Sequence, residues 1–238
     1  MASDDAETLT PYVSSLSAAE VDRIRRWHEW AYADSRARPA SEQTFDYLGL
    51  SIVVPPEVQP ITPTSHLLGE AVLAEVHSHE HVLDMGTGSG VNAVLAATNG
   101  AHVVAVDINP TALAAARANV ERNGVSERVQ IRRSDVFSDI DETFDLIVFD
   151  PPFRWFRPRD VLEVATTDEE YRAMRTFFRY ARQYLAPGGR MLIFFGTSGD
   201  IGYLQRLMTE EGFAWTVVAQ LAGEKDGVAV EYSTFRVT

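Results

Sequence analysis

His81-Val82-Leu83-Asp84-Met85-Gly86-Thr87-Gly88-Ser89-Gly90 is the stretch that decides the fold. An apolar run that reads as a buried strand ends in an acidic residue and a tight glycine turn. Val91-Asn92-Ala93-Val94-Leu95-Ala96-Ala97 then opens an apolar helix. Glycines stand where the backbone takes positive φ or approaches a ligand with no Cβ in the way, and the helix start beyond them offers unpaired N–H groups. The unit is a strand, a turn and a helix with a ligand at its crest. Dinucleotide-binding turns use G-x-G-x-x-G and set pyrophosphate on the helix end. Here the spacing is G-x-G-x-G with Val at position 91, which argues against an NAD-dependent reductase. Asp84, two positions before Gly86, would also repel pyrophosphate and welcome a cationic ligand.

Moving outward, Ala101 to Val106 reads as a second strand ending at Asp107, 17 residues beyond Gly90. An acidic residue at that strand end is placed to accept hydrogen bonds from a ribose diol. Asn109 caps a following helix with Pro110 in its first turn, and Asn123-Gly124 stops it. A third strand, Val129 to Arg133, leads to Ser134-Asp135-Val136-Phe137. A fourth, Phe144 to Phe149, ends in Asp150-Pro151-Pro152-Phe153. Two prolines after a strand fix φ and remove two N–H donors, so this turn presents carbonyl oxygens. Acceptors so arranged suit an NH₂ group, although a Pro-Pro pair can also do no more than end a strand.

With these segments in hand, the chain resembles the class I S-adenosylmethionine-dependent methyltransferases. It is most similar to the small-domain type that acts on amino groups and is related to release-factor glutamine and rRNA guanine methyltransferases. The resemblance covers about Phe45 to Val237. It implies an α/β, Rossmann-like, mostly parallel seven-stranded sheet with an antiparallel C-terminal hairpin and a small N-terminal helical and strand appendage. It implies S-adenosyl-L-methionine as cofactor, bound by Asp84, Gly86, Thr87, Gly88, Gly90, Asp107, Ile108, Asp135, Val136 and Thr62. Asp135 accepts from the adenine amino group, and Val136 or Phe137 packs on the ring. Asp150 and the Pro151 carbonyl hold the two hydrogens of a target amino group while Phe153 stacks on its planar framework. In the related families a proline-containing loop before the next helix typically reads Arg-Pro-Glu-Thr-Glu. This chain has Thr62-Pro63-Thr64-Ser65, a departure from the glutamine-modifying branch.

Composition bounds the rest. The chain has 238 residues, enough for one α/β domain with an appendage, and 45% are hydrophobic, enough for a full core. A net charge of -13 disfavours generic nucleic-acid binding, since Lys and Arg on phosphates supply most of that affinity. With no cysteine, disulfides, thiolate zinc sites and a cysteine nucleophile are excluded. The first seven residues are acidic where a signal peptide would be basic, and no run approaches the roughly 18 apolar residues of a membrane span. The expectation is a cytoplasmic protein with no metal. His77, His79 and His81 alternate without a carboxylate set to complete a shell.

Residues up to about Thr10 read as irregular. A helix is expected over Ser17 to Ser35, with Ser17 and Glu20 as a capping box and Val21, Ile24, Trp27 and Trp30 as core or docking residues. Residues 1–43 are taken as an N-terminal extension and 44–238 as the methyltransferase domain, with 44–63 a strand flap over the cofactor. A helix over His66 to Val76 is capped by Thr64 or Ser65. Arg154-Trp155-Phe156-Arg157-Pro158-Arg159 places three arginines among aromatics just after the Asp-Pro-Pro-Phe turn. Pro152, Arg154, Trp155 and Arg157 are its candidate substrate contacts, gripping a phosphate or carboxylate and a flat group; the loop could equally pack on its own chain. Asp168 to Leu185 reads as a helix with Arg172, Arg175, Arg179 and Arg182 mostly outside. Arg190 to Phe195, a helix over Ile201 to Gly212, and two strands around Gly223-Glu224-Lys225-Asp226-Gly227 complete the sheet.

The expected activity is N-methylation of an amino, amide or guanidino nitrogen on a protein side chain or small metabolite. Two alternatives stand beside it: an RNA or DNA amino-group methyltransferase using the arginine loop as a basic patch, and a catalytically silent cofactor-binding subunit.

Overall fold

A computed structural model describes residues 10–37 and 41–238; most of the segment expected to be irregular lies outside the described residues. In chain order come α1 (Ala18–Ala37), β1 (Gln43–Tyr47), β2 (Leu50–Val54), α2 (His66–Glu75), β3 (His81–Met85), α3 (Val91–Thr98), β4 (His102–Asp107) and α4 (Pro110–Arg122). β5 (Val129–Arg133), β6 (Phe144–Phe149), α5 (Val161–Val164), α6 (Arg172–Tyr180), β7 (Leu185–Gly196), α7 (Ile201–Glu210), β8 (Trp215–Lys225) and β9 (Val228–Val237) follow. β1 and β2 form a separate hairpin, and the other strands form one sheet in the order β5-β4-β3-β6-β7-β9-β8. Strands β3 to β7 pair in parallel, and β9 runs antiparallel to both β7 and β8. This is the class I methyltransferase sheet that the resemblance implied.

The chain steps outward from β3 to β4 and β5, then returns to the other side of β3 as β6. The switch point therefore lies between β3 and β6, where open α/β sheets bind ligands beyond their strand ends. Near-continuous apolar strands let helices cover both faces. Val82, Val103, Ala105, Leu146 and Val148 pack toward α2 and α3 on one side. Leu83, Val104, Ile147 and Met191 pack toward Phe177 of α6 and Leu204 of α7 on the other. Among the described residues no helix is long and apolar enough to cross a membrane.

Several local expectations are corrected. The helix expected over Asp168 to Leu185 is three pieces, with α6 flanked by 3₁₀ turns at Glu169–Tyr171 and Ala181–Tyr184. The Asp168 carboxylate accepts from Ala173 and Met174 N–H and so starts α6 at Arg172. Arg175 turns inward, its Nη1 donating to the Thr10 carbonyl at 2.6 Å. Trp27 is buried as expected, but Trp30 is 64% exposed. Ser65 holds the N-cap position of α2 without capping it; its hydroxyl instead accepts from Thr62 N–H at 3.0 Å. The five-residue C-terminal loop tightens to Asp226-Gly227, both at positive φ, the Asp-Gly signature of a two-residue hairpin turn. The capping box of α1 forms as drawn, with Ser17 N–H on Glu20 and Glu20 N–H on Ser17 Oγ.

The β1–β2 hairpin has no sheet neighbour, and two asparagines supply what a strand would. Asn119 accepts from Val53 N–H at 2.9 Å and donates to Val53 O at 2.7 Å and to Ser89 O at 2.9 Å. Asn123, one turn on, does the same for Ser51. Asn119 is completely buried. Asn119→Ala leaves Val53 and Ser89 groups unpaired, each worth about 1–3 kcal/mol when buried. A loss of roughly 2–4 kcal/mol in urea unfolding is expected, with no change beyond error counting against the hairpin's dependence on α4.

Candidate active site

The glycine turn leaves β3 with Gly86, Gly88 and Gly90 at φ of +67°, +54° and +83°, which non-glycine residues adopt only with strain. Gly90 also brings α3 against α4, since a Cβ there would lie 3.0 Å from Ala116. Asp84 holds the turn from inside: its Oδ2 accepts the Thr87 hydroxyl at 2.6 Å and Ala93 N–H at 3.1 Å. Asp107 holds it from the neighbouring strand, accepting Gly88 N–H at 2.9 Å and Asn109 N–H at 2.8 Å. Two backbone donors leave this carboxylate further lone-pair capacity for a ligand hydroxyl. Ile108 beside it is 41% exposed, an apolar surface next to a polar one, as a nucleoside requires.

The flap loop closes over this edge. A Cβ on Gly88 would lie 3.8 Å from Val58 Cγ1, the Glu57 carbonyl accepts from Asn109 at 3.1 Å, and the Glu57 carboxylate accepts from Thr111 at 2.7 Å. Thr62 is bonded to the hydroxyls of Thr64 and Ser65, each at 3.1 Å. Asp135 is exposed and meets Arg172 at 3.2 Å. Val136, at φ +52°, turns its side chain into the core, and Phe137 stacks on Tyr184 at 4.1 Å and 5°. The expectation that Phe137 packs on a cofactor ring is therefore corrected: the core claims it, because Phe177 and Tyr184 offer a larger apolar surface.

Met85 and Phe149 are partners in the β3–β6 register, so the glycine turn and the Asp150-Pro151-Pro152-Phe153 turn leave neighbouring strands at the same level, about 5 Å apart. Asp150 opens to the crevice with protein on its remaining sides, and burial pushes its carboxyl up to about 7, helped by the charge of Asp84. Burial likewise lifts Asp84 to about 6. Asp107 is raised by burial against the pull of the Asn109, Gly88 and Ile108 backbone N–H groups. Pro151 is buried and Pro152 half-buried. The Phe153 ring packs on Phe194 and Phe195 at 5.6 and 4.8 Å. Its carbonyl accepts the Tyr171 hydroxyl at 2.6 Å, and Tyr171 accepts Asp200 N–H at 2.9 Å. Gly199 is obligatory beside this turn, since a Cβ there would collide with the Phe153 carbonyl.

The arginine loop divides. Trp155, half-buried, packs between Tyr12 and Tyr171 at 5.8 and 5.9 Å. Phe156 lies on the His28 ring and under Arg25. Arg159 is bound to Glu163, to Glu29 at 2.9 Å, and over the Tyr32 ring. Arg157 is exposed. Arg154 follows Phe153 with a buried Nε that has no partner.

Three functional residues had no sequence signal of their own. Tyr47 in β1 has its hydroxyl pKa raised by burial and by the charges of Glu70 and Asp150. Tyr171 clamps the turn, and Asp200 gathers Tyr12, Ser14 and both the hydroxyl and N–H of Ser15. The histidines stand apart: His81 Nδ1 donates to the Thr143 carbonyl at 3.1 Å and its Nε2 faces Glu142 at 3.3 Å. Among the described residues no three His, Asp or Glu side chains gather as metal ligands.

A parallel sheet with a glycine turn and a proline turn at its switch point, ringed by carboxylates, defines a cofactor-dependent group-transfer fold. The sequence pattern of the methyltransferase small domain matches residues 59–220, and the chain belongs to that family. The release factor glutamine methyltransferase of Cereibacter sphaeroides is 36% identical over 57% of this chain and 53% of its own. The ribosomal protein uL3 glutamine methyltransferase of Neisseria gonorrhoeae is 29% identical over 88% of this chain and 75% of its own. The chain spans about half the length of the first of these relatives. Among solved structures, a complex with SAH aligns over 84% of this chain and 56% of its own with TM-score 0.60 at 17% identity, a likeness of fold.

The raised carboxyls set a pH dependence. A folded-state pKa above the unfolded value means that the folded protein holds protons the unfolded chain releases, so stability falls as pH rises. For Asp84 and Asp150 the fall runs from about pH 4 to about pH 7. Urea unfolding is expected to show lower stability at pH 8 than at pH 5, with a smaller difference in Asp150→Asn. An unchanged difference in the variant would remove Asp150 from this account.

Proposed function

We propose that the protein is an S-adenosylmethionine-dependent N-methyltransferase acting on an amino, amide or guanidino nitrogen of a protein side chain or small metabolite in the cytoplasm. The observation that carries this is the adjacency of the glycine turn and the Asp150 turn across the β3–β6 register. Residues 44–238 form the catalytic domain in this proposal, with 44–63 as flap and 1–43 as extension.

The cofactor fits the residues present. Asp84, Asp107 and Asp150 converge from three neighbouring strands, and the described residues give none of them an ion pair. Such a negative edge repels pyrophosphate and favours a sulfonium and an ammonium. Gly86, Thr87, Gly88 and Gly90 line the backbone side, Asp107 takes the ribose hydroxyls, and Ile108, Asp135, the Val136 backbone and Thr62 border the adenine and flap. S-adenosylmethionine supplies an electrophilic methyl group.

Asp150 and the Pro151 carbonyl accept the two N–H hydrogens of the acceptor, with Phe153 and Pro152 as the apolar wall. A conjugated nitrogen is a poor nucleophile because its lone pair is delocalised. Holding both hydrogens lets it pyramidalise and aim that pair at the methyl group. Alignment of this kind supplies several kcal/mol, up to roughly 7–11 in favourable intramolecular cases. Asp150 also takes the released proton. Pairing of Arg159 with Glu163 and Glu29 lowers the positive charge that the arginine loop offers to RNA or DNA.

Isothermal titration with S-adenosylhomocysteine tests the cofactor. Micromolar binding is expected, weakened about 10–100-fold in Asp107→Ala, since hydrogen bonds to charged groups contribute about 1.5–3 kcal/mol. No binding to the folded native protein would sink the proposal. In a methyl-transfer screen of peptides, amino acids and nucleosides, Asp150→Ala is expected to lower kcat about 10²–10⁴-fold, the usual span for a positioned proton acceptor. The Asp150 carboxylate is the working form, so native kcat/KM rises with pH through about 7. The limb in kcat lies lower, because a cation beside Asp150 favours its carboxylate.

A further inference from the structure

Arg154 is an anomaly of charge. The chain has 34 acidic residues against 21 lysines and arginines, so a counter-ion is easy to find, and Arg159 of the same loop has two. Arg154 does not. Its backbone is fixed on both sides, N–H to the Thr166 carbonyl at 3.3 Å and carbonyl to Asp168 N–H at 2.8 Å. Its Nε is buried with no hydrogen-bond partner, and among the described residues no carboxylate forms an ion pair with it. The acidic group nearest in influence, Glu163, is bound by Arg159 and lies 2.9 Å from His28 Nε2.

The other side chains that feel Arg154 worsen its position. Burial and the Arg154 charge together hold both His28 and Lys225 below their usual basicity. Lys225 is fixed over the rings of Trp27 and Trp30, at 4.9 and 5.7 Å, and Asp226 beside it is taken by Trp27 Nε1 at 2.6 Å. The remaining neighbours are the hydroxyls of Tyr232 and Tyr171. Tyr232 is itself locked to the acceptor turn, its ring 6.3 Å from that of Phe153 and seated where any Cβ on Gly196 would strike it. A guanidinium stays protonated under such burial. A half-buried charge with no counter-ion and an unpartnered Nε is costly, and a structural role would be better served by a neutral side chain.

Resting on the methyltransferase proposal above, we propose that Arg154, with Lys225 in its field, is the counter-charge for a carboxylate or phosphate group carried by the methyl acceptor. The acceptor is thus a small molecule with a nitrogen at one end and an anionic oxygen group at the other. The two tyrosines that feel the Arg154 charge, Tyr232 and Tyr171, both touch Phe153; in this proposal the nitrogen meets Asp150 on one side of that platform and the anion meets the guanidinium on the other. The planar fork of arginine suits bidentate contact with either group.

The test uses the full chain, saturated with S-adenosylhomocysteine, titrated separately with acetate and inorganic phosphate at ionic strength balanced with sodium chloride. Thermal shift and calorimetry are the readouts. At least one anion is expected to bind the native protein and to bind Arg154→Gln about 10–100-fold more weakly, the range for charge-assisted hydrogen bonds. A response to acetate alone marks a carboxylate acceptor, and a response to phosphate alone a phosphorylated one. Equal responses in native and variant, or none in the native protein, overturn the proposal. Arg154→Gln is expected to melt at or above the native temperature before anion is added; a clear fall would show a structural cation and also overturn it. S-adenosylhomocysteine binding is measured in the same samples, so failure of the cofactor and failure of the anion site are read separately.

Discussion

Three carboxylates meeting at the ends of neighbouring strands are the constraint on which the rest of the site depends. Asp84 pairs in register with Val148 of the adjacent strand, which places Asp150 only two residues further along, and Asp107 ends the strand on the other side. Asp107 raises Asp84, and Asp84 raises Asp150. Like charges this close, partly stripped of water, are tolerated only where something offsets them. The backbone offsets part: Ala93, Gly88 and Asn109 N–H groups all point at this cluster. What remains selects the ligand. A dianionic pyrophosphate would deepen the repulsion, while a cation relieves it and draws each carboxyl toward its ionised form.

At the far end the sign reverses. Arg154 and Lys225 lie beyond Phe153, so the crevice is negative where the methyl donor belongs and positive where the acceptor's tail belongs. The supports of the two ends differ as well. The negative end rests on strand register and a glycine turn, features of one contiguous segment. The acceptor turn rests on a relay in which Asp200 N–H donates to Tyr171 and Tyr171 donates to the Phe153 carbonyl. The Asp200 carboxylate in turn anchors Tyr12 and Ser15. Segment 12–15 is thereby part of the scaffold of the acceptor turn, although the sequence suggests only an appendage.

What the sequence discloses follows from the range of each interaction. The β3 turn, Asp107, the Asn109-Pro110 start of α4 and the Asp-Pro-Pro-Phe turn are legible because their geometry is written in neighbouring residues. The role of Asp200 as anchor of the N-terminal segment is not, since those partners lie 185 to 188 positions away. Asn119 is silent for the same reason: only the packed hairpin shows which backbone it serves, 66 positions distant. The packing of Phe137 and Trp155 is not legible because an aromatic beside a site motif has no way to signal which face it turns to. Trp155 turned to Tyr12, a contact that requires the N-terminal segment to be in place. The helix expected over Asp168 to Leu185 failed locally, where an acidic side chain capping Ala173 and Met174 restarted the helix four residues late.

The distribution of buried charge within this one molecule separates structure from function. Away from the crevice, several buried ions are matched. Arg190, 7% exposed, joins Glu75 and Glu80; Glu163, 1% exposed, joins Arg159 and His28; Asp200, fully buried, accepts five hydrogen bonds counting Tyr203 N–H. Matching of this kind makes breaking either partner expensive and leaves no appetite for a ligand. At the crevice the same chain leaves Asp150 without a hydrogen-bond partner among the described residues and Arg154 without a counter-ion. A fold able to satisfy ions elsewhere, with acids in excess, is not short of means to satisfy these two. The two stand four residues apart and flank a single rigid turn, Asp150 open to the crevice and Arg154 half-buried with an unpartnered Nε. The economical physical account is that each is completed by one end of the same bound molecule.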